Sequence, residues 1–92
     1  VSLFVDIFGS IYCSLADQNQ VIKKEFNNHP NSSSVIAGND NGTNGSASDV
    51  LHNPRSIFVT DELNLYVADC GNNRVLFFKN RERTGTSVLG NG

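Results

Sequence analysis

The chain has 92 residues, a formal net charge of -2, 17% charged residues and 38% hydrophobic ones, which allows one small domain and no large core. Seven Lys and Arg against nine Asp and Glu leave no basic footprint of the kind nucleic acid requires. No apolar run approaches the roughly 20 residues that span a bilayer, and no charged start followed by an apolar stretch marks a signal peptide. The chain has no methionine, so Val1 is not expected to be a natural start.

In chain order, "SLFVD", "SIYCS", "QVIKKEF" and "SVIAG" read as four short strands, rich in Ile, Val, Phe and Tyr. An Asn-, Ser- and Gly-rich stretch follows, and Pro54 rigidifies the entrance to the next strand. Then come "RSIFVT", "NLYVAD", "RVLFFK" and "SVLG", separated by polar turns. The second set repeats the first. Ser2 to Glu25 lies over Ser56 to Lys79 without a gap, at an offset of 54 residues, and Phe4, Tyr12, Asn19 and Val21 recur as Phe58, Tyr66, Asn73 and Val75. The tails "SSVIAGN" and "TSVLGNG" match with a slip of one residue.

Four short antiparallel strands per repeat predict an all-β fold of β-propeller blades. The expected organisation is a first, degenerate blade over 1–38, opening inside its innermost strand, a linker loop over 39–52, and a second blade over 53–92. "NPRSIFVTDELNLYVADCGNNRVLFF" resembles an NHL repeat: a proline, a strand, Leu-Tyr-Val-Ala-Asp, then Asn-Asn-Arg-Val. The resemblance is close over 53–90 and looser over 2–38. Ser56 stands where the family usually has Gly, and in the first copy Leu15 and Gln20 replace the signature Asp and Arg. Fewer than two full repeats read as a fragment of a larger, six-bladed ring whose remaining blades belong to the same chain; three copies closing one ring is the alternative.

The knot Asp69-Cys70-Gly71-Asn72-Asn73-Arg74 is the main candidate site. It reads first as a turn, with Gly71 and Asn72 supplying positive φ. Asp69 and Arg74 flank it, placed to pair with each other or with the next blade, in an exposed pair contributing only about 0–1 kcal/mol. As a binding face the candidates are Asp69, Asn72, Asn73 and Arg74. Cys70 has no histidine base beside it, and Cys13 reads as a small buried apolar residue. "DNGTNG" from Asp40 lacks calcium-loop ligands at positions three (Gly42) and twelve (Leu51) and reads as a flexible loop. His29 and His52 have no ligand spacing, and His52 reads as exposed and silent. No catalytic set, metal site or cofactor motif is legible. Asn31, Asn41 and Asn44 head glycosylation sequons that matter only in a secreted protein, and no compartment is specified.

The resemblance implies a non-catalytic scaffold whose loops recognise a protein, within a larger multidomain protein such as a tripartite-motif-like ubiquitin ligase. RNA is the less favoured partner, given the charge. A propeller enzyme resembling peptidyl-hydroxyglycine amidating lyase is the catalytic alternative, but Cys70-Gly71 fills the turn where that family carries an aromatic residue.

Overall fold

The computed structural model describes residues 2–25 and 33–90. Eight strands form two four-stranded antiparallel sheets, each in plain sequential order. The first holds β1 (Ser2–Val5), β2 (Ile11–Leu15), β3 (Gln20–Lys24) and β4 (Ser33–Gly38). The second holds β5 (Pro54–Val59), β6 (Leu65–Asp69), β7 (Arg74–Phe78) and β8 (Thr86–Gly90). Apart from two single 3-10 turns, Ala16–Gln18 and Cys70–Asn72, no helix occurs among the described residues, and none is long and apolar enough to cross a membrane.

The repeat is visible in backbone detail. Asn19 and Asn73, 54 residues apart, both take left-handed φ (57° and 54°) at the exit of the 3-10 turns. The pairing of the third and fourth strands shifts register at matching steps, Val21/Ile22 and Val75/Leu76, passing over Ile36 and Val88. Gln20 opposes Gly38 and Arg74 opposes Gly90, so the last strands correspond at 52 residues, a slip of two rather than the one read from the sequence.

Alternation explains the core. In β6 and β7 every second residue is buried: Leu65, Val67, Asp69, then Arg74, Leu76, Phe78. Register pairs them as Leu65 with Phe78, Val67 with Leu76 and Asp69 with Arg74, so they share one face. That face joins Tyr12, Val21 and Ala37 of the first sheet in one apolar cluster. Leu51, from the stretch between the sheets, is fully buried in the same cluster. Phe4 and Phe58 meet edge to face, 5.3 Å apart, where the inner strands adjoin.

The opposite face of the second sheet carries Tyr66 beside Phe77 (ring centroids 4.9 Å) and Ala68 opposite Val75, all only half-buried. Cys13 lies on the corresponding outer face of the first sheet, opposite Leu3 and Ile22. It is half-buried rather than buried, because nothing covers that face among the described residues.

Candidate functional site

The knot folds as a short 3-10 turn whose flanking residues carry its chemistry. Asp69 ends β6 and Arg74 opens β7, and their register partnership brings the side chains together. Arg74 Nε donates to Asp69 Oδ2 at 2.9 Å, with side-chain exposures of 2% and 0%. The expected exposed pair is therefore a buried one. Alternation along β6 places Asp69 on the inward face with Leu65 and Val67, and Arg74, its register partner, shares that face.

The pair is satisfied by the backbone between the sheets. Arg74 donates Nη1 to the Ser46 carbonyl (2.9 Å) and Nη2 to those of Ala47 (2.9 Å) and Val50 (3.0 Å). Asn72 Nδ2 donates to the Gly45 carbonyl (2.7 Å) and to Asp69 Oδ2 (2.8 Å). Asp69 Oδ1 accepts from the His52 amide at 2.7 Å. One planar guanidinium and one carboxylate thus fasten four backbone positions and Asn72 a fifth, and the fork of Arg is suited to its share in a way the single ammonium of Lys is not.

The first sheet grips the same stretch from the other side, through Asn19, the equivalent of Asn73, and Gln20, the equivalent of Arg74. Asn19 Nδ2 donates to the Gly42 carbonyl (3.0 Å) and its Oδ1 accepts from the Asn53 amide (2.8 Å). Gln20, in the place of Arg74, donates Nε2 to the carbonyls of Asn39 (2.9 Å) and Asp40 (3.0 Å). Residues 39–53 are therefore a clasped connector, contrary to the flexible loop expected from their composition. An irregular segment can be ordered when side chains satisfy its backbone groups.

Within the turn, the positive φ belongs to Asn73, and neither Gly71 nor Asn72 has one. Gly71 serves another purpose. Its amide donates to the His52 carbonyl (2.8 Å), and a Cβ there would stand 2.5 Å from that oxygen, so the close approach admits only hydrogen. The His52 side chain is exposed, but its backbone amide and carbonyl are both engaged. Of the four candidate residues, the structure brings Asp69, Asn72 and Arg74 into one network; Asn73 shapes the backbone beside it.

Cys70 is exposed, and both thiols are free. Among the described residues no group of three His, Cys, Asp or Glu could hold a metal. Asn41 accepts from the amide and hydroxyl of Thr43 (3.0 and 2.6 Å), which uses its side chain within its own sequon. Asn44 is exposed, whereas Asn31 and His29 lie outside the described residues.

A second arrangement, at the opposite end of the strands, has no counterpart in the sequence reading. The β1–β2 turn is organised by Asp6, whose Oδ1 accepts from the amides of Phe8 (2.9 Å) and Ser10 (3.0 Å) and whose Oδ2 accepts from the Tyr12 hydroxyl (2.8 Å). Ile7 and Phe8 are thrown outward, 65% and 64% exposed. The usable signal was an Asp directly before an apolar pair and a glycine, Asp6-Ile7-Phe8-Gly9, the pattern of a side-chain-capped turn. Beside it, a cleft of about 390 Å³ between the sheets is lined by Tyr12, Lys23, Leu63, Phe78, Lys79 and Arg81, among others.

Burial pushes the Asp6 carboxyl up, but the Tyr12 hydroxyl, the Ser10 and Phe8 amides and nearby Lys23 outweigh it and hold it below the usual carboxylate range. Burial, then the bond to and charge of Asp6, push the Tyr12 hydroxyl well above its ordinary value. Folded Asp6 binds its proton more weakly than unfolded Asp6, so its contribution is complete above about pH 4 and is lost as pH falls through the lower folded value. Tyr12 has the opposite sign: its contribution is complete below about pH 10 and is lost only at still higher pH. Asp6→Asn is expected to shrink the drop in urea midpoint between pH 7 and pH 3. An identical drop in both proteins would contradict the assignment.

Sequential four-stranded antiparallel sheets, packed face to face through one apolar layer, define blades of a β-propeller. Residues 51–78 match the family model for the NHL repeat, and the chain carries an NHL repeat over that span. The matched span opens at Leu51, the buried residue of the connector, and contains Asp69, Asn72 and Arg74. No curated protein matches the chain.

Proposed function

We propose that the chain acts as a non-catalytic scaffold that presents its β1–β2 turn, on one end of the propeller blades, to a protein partner. The observation that supports this is the Ile7-Phe8 tip. Two large apolar side chains stand in solvent on a turn fixed by three hydrogen bonds to one carboxylate. A preorganised aromatic anchor is the kind of group that dominates protein interfaces, because little conformational freedom is lost on contact. The adjoining cleft adds apolar walls at Leu63 and Phe78 and charge of both signs at its rim, Lys79 and Arg81 with Glu82. The Asp69–Arg74 knot sits at the other end and is engaged in holding the connector, so it takes no part in this reading.

The test is to pan a displayed random-peptide library against the full chain. Enriched peptides should lose about tenfold or more in affinity on Phe8→Ser, a variant expected to leave the circular dichroism unchanged. Peptides that bind the variant equally well would overturn the reading. So would tight binding of single-stranded RNA with steep salt dependence.

A further inference from the structure

The connector carries two Asn-Gly dipeptides, Asn41-Gly42 and Asn44-Gly45, and both asparagines are exposed. The pairing is chemically labile. An asparagine side chain presents an amide carbon, and the backbone nitrogen of the next residue can attack it when no side chain crowds that nitrogen, as before glycine. A bond forms between that nitrogen and Cγ, the Cγ–Nδ2 bond breaks, and ammonia leaves with the proton taken from the glycine amide. Water then opens the five-membered ring at either carbonyl, giving aspartate or isoaspartate. The only co-reactant is water. The reaction needs a glycine amide free to give up its proton and a main chain free to turn that nitrogen onto Cγ.

The folded connector withholds both. The Gly42 amide donates to the Asn39 carbonyl (3.0 Å), and its own carbonyl accepts from Asn19 Nδ2 (3.0 Å). The Gly45 amide donates to the Leu51 carbonyl (3.2 Å), and its carbonyl accepts from Asn72 Nδ2 (2.7 Å). Each glycine is therefore held on both sides, Gly42 by a side chain of the first blade and Gly45 by one of the second. The turn itself demands Gly42, whose φ is 81° and where a Cβ would stand 3.1 Å from the Gln18 carbonyl oxygen. The labile pair thus comes with the fold, and the clasp keeps it inert.

We propose that Asn41 and Asn44 are self-modification sites, at which the connector deamidates when the clasp lets go, Asn19 guarding the first and Asn72 the second. Isoaspartate adds a methylene to the main chain. A connector modified at Asn44 would present the Gly45, Ser46 and Ala47 carbonyls out of step with Asn72 and Arg74, which now hold them. Release at that site is thereby made permanent.

The full chain should be incubated at mildly alkaline pH, folded and in urea, and mapped by tandem mass spectrometry for conversion of amide to acid at each asparagine. Both sites should convert about tenfold or more slowly in the folded chain than in urea. Asn72→Ala should speed conversion at Asn44 and leave Asn41 slow. Asn19→Gly, which keeps the left-handed φ of 57° open to the backbone, should do the reverse. That reciprocal pattern cannot come from variants that merely unfold, since unfolding frees both sites together. Equal rates in the folded and urea-unfolded chain would overturn the proposal. So would variants that speed both sites alike, or neither.

Discussion

Arg74→Leu should lower the stability of the chain by about 3–5 kcal/mol, read as a fall in urea midpoint, because it strands a buried carboxylate. Asp69 would keep its bonds from Asn72 and the His52 amide but lose the charge that balances it. The carbonyls of Ser46, Ala47 and Val50 would lose their donor as well. Against a total stability of only about 5–15 kcal/mol for an ordinary domain, that loss is severe. Arg74→Lys should recover little of it, since one ammonium cannot reach carbonyls on both edges of a fork. An unchanged midpoint in Arg74→Leu would mean that the pair is dispensable.

Leu51→Ala should cost about 2–5 kcal/mol, the range for emptying a well-packed leucine site. Leu51 is fully buried beside residues of both blades, yet it belongs to the connector. Its loss should loosen the blades from each other before it unfolds either one. Thermal unfolding should therefore broaden as well as shift downward. A variant within about 0.5 kcal/mol of the parent would place Leu51 among ordinary surface positions.

These two residues also mark what the sequence could and could not reveal. Strands were legible because alternation and β-branched residues are local signals, and all eight appear in the structure. The repeat was legible because the offset stays at 54 residues from Ser2 to Glu25; it changes only in the connection to the last strand, where the tail match slipped by one residue too few. The burial of Asp69 and Arg74 was not legible. Their partners are mostly backbone carbonyls some two dozen residues away, and a carbonyl leaves no mark in a sequence. Composition also misled at 39–53, since Asn, Gly and Ser look alike in a loose loop and in one held by side chains. The turn conformation could have been placed from the repeat itself: Asn19 recurs as Asn73, and that shared residue, not Gly71, takes the left-handed φ. The Asp6 turn escaped notice because Thr60 replaces Asp6 in the second blade, so the comparison of copies hid it.

The connector clasp is the physical centre of this protein, and the His52 amide is its most direct reporter. That amide donates to Asp69 Oδ1 at 2.7 Å although the His52 side chain lies in solvent. Hydrogen exchange measured by NMR should find it protected in the unmutated chain to about the same degree as the β6 and β7 amides, and freely exchanging in Asp69→Ala while the strand amides remain protected. A His52 amide that exchanges as fast as an open loop in the unmutated chain would contradict the clasp.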